Sequence, residues 1–188
     1  CGSVTVDWKS GTIWVGTGEV NASRSSYSGI GILKSSDKGK TWENLGLPES
    51  HHISRILVNP KNNNEIIVGV TGHLYTKNKE RGIYKTLDGG KTWKQTLFVN
   101  DETGIIDVVV SPSDFNIQYV AAWQKDRKAS DFKGNGKGSG IYKSTDAGST
   151  WNLISNSESG FPNNEGVGRI GLFAVNYNVV YAVLDNQN

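Results

Sequence analysis

Gly31-Ile32-Leu33-Lys34-Ser35-Ser36-Asp37-Lys38-Gly39-Lys40-Thr41-Trp42 returns twice in the same chain. The second copy is Gly82-Ile83-Tyr84-Lys85-Thr86-Leu87-Asp88-Gly89-Gly90-Lys91-Thr92-Trp93, the third Gly140-Ile141-Tyr142-Lys143-Ser144-Thr145-Asp146-Ala147-Gly148-Ser149-Thr150-Trp151. All three fit S/T-x-D-x-G-x-T-W. Their spacing is close to the roughly 40–50-residue period of β-propeller blades, with some loop enlargement.

Outward from each block lies a second repeated pattern: an apolar strand, a short polar turn and another apolar strand. Val4–Asp7 precedes Thr12–Gly16, Ile56–Pro60 precedes Glu65–Val70, Ile106–Pro112 precedes Gln118–Ala122, and Arg169–Val175 precedes Val179–Leu184. Valine, isoleucine and aromatic residues dominate these runs, and Asn59-Pro60 and Ser111-Pro112 break them. Each unit then has four antiparallel strands, A to D, with the S/T-x-D-x-G-x-T-W block, an Asp-box, at the C–D turn. The expected fold is all-β: a single partial β-propeller of four-stranded blades, with blade 1 over about 3–46, blade 2 over about 53–98, blade 3 over about 105–155, and strands A and B of blade 4 over about 167–185. Three and a half blades leave two open flanks, because a propeller removes its sheet edges only by closing. The remaining blades of the same polypeptide are therefore an expected partner.

Within the Asp-box, a short carboxylate accepts the amides that a tight reversal leaves unpaired. That role falls to Asp37, Asp88 and Asp146, with Ser35, Thr86 and Ser144 opening the turn. Gly39, Gly90 and Gly148 supply positive φ or close approach, and Trp42, Trp93 and Trp151 are expected to fill the space between blades. Repetition in every blade suits architecture better than a single active centre.

Composition narrows the function classes. Twenty Lys+Arg against 18 Asp+Glu give a net charge of +2, no basis for nucleic acid as a partner. Apolar runs such as Ile105–Ile106 with Val108–Val110 are strand-length, so no membrane span is expected. Cys1 is the one cysteine, which excludes an internal disulfide. No methionine occurs, and the chain reads as a piece of a longer one. Cys1 reads as an interior residue, with a lipid-bearing first residue as the alternative.

The boxes resemble those of sialidases, xyloglucanases and sortilin-type receptors. Trp14-Val15-Gly16-Thr17-Gly18-Glu19, Gly72-His73-Leu74-Tyr75, Glu80-Arg81-Gly82 and Val167-Gly168-Arg169-Ile170-Gly171 are similar to bacterial proteins described as sortilin-like or glycosyl-hydrolase-like repeat proteins. The resemblance covers nearly the whole chain. It implies an extracytoplasmic protein, secreted, periplasmic or on the outer surface, and fixes fold better than activity. No arginine triad, tyrosine nucleophile or paired-aspartate pattern of the enzymes falls on a matching motif.

Since strands alternate in direction, the A–B and C–D turns share one end of the ring, and the longer B–C and D–A loops share the other, where a site is expected. The B–C loops are Glu19–Gly29, Gly72–Arg81, Trp123–Gly138 and Asp185–Asn188; the D–A loops include Pro48–His52, Asn100–Gly104 and Asn163–Gly168. Glu19, His73, Gln124 and Asp185 follow strand B at equivalent positions and are candidates to converge on one ligand. Trp123, ahead of Gln124 and Arg127, offers an aromatic face for a sugar ring or an apolar peptide side chain, or else packs between blades. Arg24, Arg81 and Arg169 suit carboxylate recognition, although Arg169 also suits a bridge between blades. Lys128–Gly138 reads as a mobile loop. His51, His52 and His73 show no recognisable ligand spacing, and neither metal nor cofactor is expected.

Two functions follow. A binding or scaffolding propeller would engage a protein, peptide or glycan through Glu19, Arg24, His52, His73, Trp123, Gln124 and Arg127. A glycoside hydrolase would need two carboxylates about 5–5.5 Å or 6.5–9.5 Å apart, with Glu19 and Asp185 as weak catalytic candidates and Glu102, Asp107 and Glu165 as other possible members. A purely structural segment is a third reading.

Overall fold

A computed structural model describes residues 1–176 and 178–187. It is a partial β-propeller. Blade 1 orders β1 (Ser3–Asp7), β2 (Thr12–Gly16), β3 (Ile32–Ser35) and β4 (Glu43–Asn44) as neighbours. Blade 2 repeats this with β5 (Ile53–Asn59), β6 (Asn62–Val70), β7 (Gly82–Thr86) and β8 (Lys94–Leu97). Blade 3 has β9 (Thr103–Ser111) and β10 (Asp114–Gln124), then a two-stranded ribbon of β11 (Asp126–Arg127) and β12 (Phe132–Lys133), then β13 (Gly140–Ser144) and β14 (Asn152–Leu153). Blade 4 contributes β15 (Val167–Ala174) and β16 (Val180–Asn186). All pairings are antiparallel, and a 3-10 turn at Pro48–Ser50 is the one helical element among the described residues.

The strands differ from expectation mainly at their ends. β5 and β9 begin earlier than the apolar pattern does, so Thr103 and Gly104 pair in a strand rather than belong to a D–A loop. Asp185, expected to open a loop, lies inside β16, and Asn188 at the end of that predicted loop is outside the described residues. Lys128–Gly138 is pinned rather than mobile. Its ribbon pairs Arg127 with Phe132, Gly134 O accepts the Trp123 indole N–H at 2.7 Å, and Gly136 N donates to Val167 O at 3.0 Å.

Hydrophobic cores lie between blades. Trp14 and Ile32 of blade 1 pack with Ile53, Ile56, Ile66, Val68 and Val70 of blade 2. Ile67 and Ile83 on the other face of blade 2 pack with Ile105, Val108, Val120 and Ala122 of blade 3. Ile106, Ala121, Trp123 and Ile141 of blade 3 meet Val167 and Ile170 of blade 4. Both faces of β6 and β10 are therefore covered, which is why Glu65–Val70 and Tyr119–Trp123 read as almost unbroken apolar runs instead of alternating ones.

Neighbouring A strands are joined by polar contacts as well. Thr5 Oγ1 donates to Ile56 O at 2.7 Å, and Ser54 Oγ donates to Ile105 O at 2.6 Å. Asp107, considered above as a catalytic carboxylate, is instead a bridge across three blades: Oδ1 accepts from Arg55 Nε at 2.8 Å and Oδ2 from Leu172 N at 3.0 Å. Close approach limits side-chain size between blades. A Cβ on Gly69 would lie 2.8 Å from Ser54 Oγ and 2.9 Å from Val108 Cγ2.

The three Asp-boxes superpose in their bonding. Asp37 Oδ1 accepts from Ser35 Oγ at 2.8 Å and Thr41 N at 2.9 Å, and Oδ2 accepts from Thr41 Oγ1 at 2.7 Å. Asp88 has the same partners in Thr86 and Thr92, and Asp146 in Ser144 and Thr150. Both central turn residues are left-handed, Lys38 and Gly39 in the first box, Gly89 and Gly90 in the second, Ala147 and Gly148 in the third, whereas the sequence pointed only to the glycines. Threonine hydroxyls hold the carboxylates well below the usual range, Asp37 and Asp146 to about 2. Asp88 is lowered by the same cause.

Two of the box tryptophans reach the preceding blade. Trp93 Nε1 donates to Leu45 O at 2.8 Å and Trp151 Nε1 to Thr96 Oγ1 at 3.2 Å. Trp42 corrects the expectation for the first box: it is 45% exposed, with no preceding blade among the described residues to cover it. At the other flank Phe173, Tyr181 and Val183 of blade 4 are exposed.

Two predictions follow from this packing. Gly69→Ala is expected to cost about 1–3 kcal/mol by overpacking, while Gly171→Ala, whose added Cβ meets nothing within 4 Å, should stay within about 0.5 kcal/mol of the parent; urea denaturation of the two variants checks the contrast. The Asp-box carboxylates have native pKa values below their ordinary 3.8, so their stabilisation is complete above about pH 4 and is lost as pH falls towards 2. The denaturation midpoint should drop over that window, and Asp88→Asn should flatten the drop. Equal slopes in parent and variant would remove these carboxylates as its source.

Candidate functional site

Loops of blades 1, 2 and 3 interlock at the end opposite the Asp-boxes. Arg81, buried at the end of the blade 2 B–C loop, fixes that loop by donating to three carbonyls: Thr71 at 2.6 Å, His73 at 2.9 Å and Thr76 at 3.0 Å. Its role is to shape the loop, and it does not face a ligand. Asn78 works beside it, accepting from His73 N at 3.0 Å and donating to Glu49 O at 3.3 Å. Lys125, also buried, donates to the same His73 carbonyl at 3.0 Å from blade 3. Neither cation makes an ion pair among the described residues. Burial, helped by Arg81 and Arg127, brings the Lys125 ammonium down to about 7, and burial lowers Arg81 to about 10.

The adjacent His51 and His52 meet His73 of the next blade's loop here. His51 and His73 stack with ring centroids 3.7 Å apart and planes 18° from parallel, and His52 meets His51 edge-on at 6.3 Å. His52 is buried and accepts from Glu19 N through Nδ1 at 3.0 Å, while its own carbonyl accepts from Thr71 N and Oγ1. Burial, with Lys125 adding to it, lowers His52 to about 4, which keeps Nδ1 free to accept. His51 is lowered too, by burial and then by His73. Glu49, in the 3-10 turn, sits with Oε2 3.4 Å from His73 Nε2 and 3.9 Å from His51 Nε2. Its place in the cluster was not legible in the sequence, because it depends on the Pro48–His52 turn folding against the loop of the next blade.

Two openings flank Ser28. One, of about 230 Å³, is lined by Ser26, His51, His52, His73, Tyr75 and Thr76 among others. The other, of about 550 Å³, is lined by Thr17, Glu19, Tyr27 and Ile30 among others. Glu19 thus borders an open surface while its backbone is tied to His52. The aromatic faces open to solvent are Tyr27, 84% exposed, and Tyr75, 50% exposed, both missed in the sequence because tyrosines in loops carry no spacing signal. Tyr75 also donates its hydroxyl to Arg24 O at 2.8 Å.

Trp123 is not such a face. It is 4% exposed, packed edge-on against Phe132 at 6.1 Å within the core between blades 3 and 4. Gln124 is consumed by its neighbours, donating to Glu102 Oε2 at 2.9 Å and accepting from Gly138 N at 2.8 Å. Arg127 reaches blade 1 instead of solvent, donating twice to Ala22 O at 2.9 and 2.6 Å with its guanidinium over the Phe132 ring. Arg24 approaches Ala129 O at 3.5 Å and Arg169 approaches Asn21 Oδ1 at 3.5 Å, further links between the blade 1 loop and blades 3 and 4.

Carboxylates at this end are largely engaged. Glu102 pairs with Lys77 at 2.6 Å, which lowers its pKa. Glu165 lies 3.2 Å from Lys137. Asp185 is an exposed residue of β16.

Comparison with known proteins bears on this arrangement. The chain is 27% identical over 156 residues to a xyloglucanase of Paenibacillus sp, covering 72% of this chain and 14% of that protein. It is 28% identical over 155 residues to a xyloglucanase of Acetivibrio thermocellus, covering 72% and 17%. The chain thus spans under a fifth of the length of these curated relatives. Among solved structures, a Niastella koreensis GH74 enzyme matches 97% of this chain and 29% of its own at 21% identity and a TM-score of 0.60. An ancestral GH74 enzyme matches 95% and 20% at 19% identity and 0.59. YCF48 from Cyanidioschyzon merolae matches 98% and 48% at 16% identity and 0.54. At these identities the structures share the fold. The family model for Sortilin-Vps10, described as sortilin, neurotensin receptor 3, matches residues 31–166. That match takes in the whole core between blades 2 and 3 and most of the loop end, and the chain belongs to the Sortilin-Vps10 family.

Proposed function

We propose that the chain is a segment of an extracytoplasmic, bacterial binding or scaffolding propeller, completed by further blades of the same polypeptide. It engages a protein, peptide or glycan through the loop end opposite the Asp-boxes. The observation that carries this reading is the state of the carboxylates. Glu102, Asp107 and Glu165 are each engaged by a basic side chain, and Lys77 holds Glu102 below the usual carboxylate range, which makes that residue a poor proton donor near neutral pH. Glu19 is left bordering an open surface with Tyr27, an arrangement suited to stacking and hydrogen bonding. Rigid loops beneath it, tied by Arg81, Asn78 and His52, lower the ordering cost of an encounter.

The sortilin family supports a binding role. The xyloglucanase relatives support a sugar-directed one, and hydrolysis by a pair completed from other blades is the second reading. No helix among the described residues is long and apolar enough to cross a membrane.

Titration calorimetry with xyloglucan oligosaccharides and with a peptide library tests the proposal. Tyr27→Ala and Tyr75→Ala are expected to weaken binding about tenfold, on the scale of one to a few kcal/mol for a lost aromatic contact, with no release of reducing ends. Hydrolysis abolished by Glu19→Gln would overturn it in favour of the hydrolase. A companion measurement concerns Lys125. Removing a buried cation held by one carbonyl should leave stability unchanged or raise it, so Lys125→Met is expected to match or exceed the parent's urea midpoint; a clear loss would make Lys125 a structural staple.

A further inference from the structure

We propose that Glu49, His51 and His73 form a site for a divalent first-row transition metal, with Zn²⁺ the best match to two imidazoles and one carboxylate. The ligand atoms of the three residues all lie within 4.8 Å of one another. Around a tetrahedral zinc with bonds of 2.0–2.1 Å, neighbouring ligand atoms stand about 3.3 Å apart. The separation of Glu49 Oε2 from His73 Nε2 is already 3.4 Å, and that from His51 Nε2 is 3.9 Å, so binding requires Glu49 and His51 to close by about 0.5 Å and the His51 ring to turn out of its stack on His73.

Three further observations point to a missing partner. His73 Nε2 is buried and has no hydrogen bond, because its contact with Glu49 lacks the geometry for one. A buried polar atom without a partner is costly. The other ring nitrogen, Nδ1, is held by Thr76 Oγ1 at 2.8 Å, and donation to that hydroxyl, the kind of hydrogen bond by which metal-bound histidines are oriented, leaves the lone pair on Nε2. Finally, His51 sits at φ 51° and ψ −47°, a conformation costly for a residue with a Cβ, held by Gly29 N donating to its carbonyl at 2.6 Å. His52, whose Nδ1 is occupied by Glu19 N, stays outside the set.

His51 and His73 line the opening shared with Ser26, Ser28 and Tyr75, so the ion would be open to a ligand atom from solvent. This site does not depend on the binding role proposed above, since the ion would organise the loops with or without a partner.

The test uses the full 188-residue chain carrying Cys1→Ser, so that the exposed thiol does not compete, and no polyhistidine tag. Equilibrium dialysis against ZnCl₂ is expected to give one zinc per chain. Glu49→Gln, His51→Ala and His73→Ala should each weaken uptake by about 10–100-fold, while Asp114→Asn at the opposite end leaves it unchanged. In parallel, zinc should shift the ring-proton NMR signals of His51 and His73 more than those of His52. Each variant must retain the parent's far-UV circular dichroism; if His51→Ala fails to fold, Glu49→Gln and the NMR shifts decide. No uptake by the folded parent, or uptake that survives Glu49→Gln and His73→Ala, overturns the proposal.

Discussion

Everything in this chain depends on sheets packing face to face around an axis, with the apolar residues of one blade buried only by the next. The cores that join Trp14 to Ile66, Ile67 to Val120, and Trp123 to Val167 contain no side chain that its own blade could bury alone. Gly69 and the pair Ala121–Ala122 are small because blades converge there. The same constraint explains the surfaces at either flank. Trp42 and Phe173 occupy positions whose counterparts inside the fan are covered, and they are exposed where the fan stops.

Fold was legible because its signal is local and repeated. Ser35, Asp37, Gly39 and Thr41 satisfy one another within a single turn, so a short motif carries its own physical cause and its recurrence counts the blades. The loop end was only partly legible. Equivalent positions after strand B were read as candidates to converge on one ligand, but position does not decide whether a side chain points to a ligand or to a neighbour. Gln124 and Arg127 have backbone and carboxylate partners supplied by segments remote in sequence, and Trp123 is covered by a ribbon that composition disguised as a flexible loop. The histidine cluster failed to announce itself for a related reason: His51 and His73 belong to loops of successive blades, and Glu49 joins them through a turn bounded by the left-handed Leu47 and His51.

The electrostatics of the two ends are opposed in kind. At the Asp-box end each aspartate gathers hydroxyls and amides around an exposed carboxylate, a self-contained arrangement that needs nothing from outside. At the loop end Arg81 and Lys125 are withdrawn from water with carbonyls as their main company, and burial, with Lys125 adding to it, brings His52 down to about 4. The first pattern stabilises turns. The second ties loops of blades 2 and 3 to a shared set of carbonyls beneath the opening.

The blade 1 loop crosses the ring to reach Arg127 and Arg169, and this has a kinetic meaning. Ala22 leaves the ribosome more than 100 residues before the guanidinium that will hold it. At ordinary elongation rates that is an interval of roughly 5–20 s. Ala22 and its neighbours wait through it without their final contacts, and the opening they border takes shape only after blade 3 has been made. In a chain built blade upon blade, the loop end is then among the last features to mature, and a mutation that slows blade 3 would be felt first by a loop encoded near the beginning.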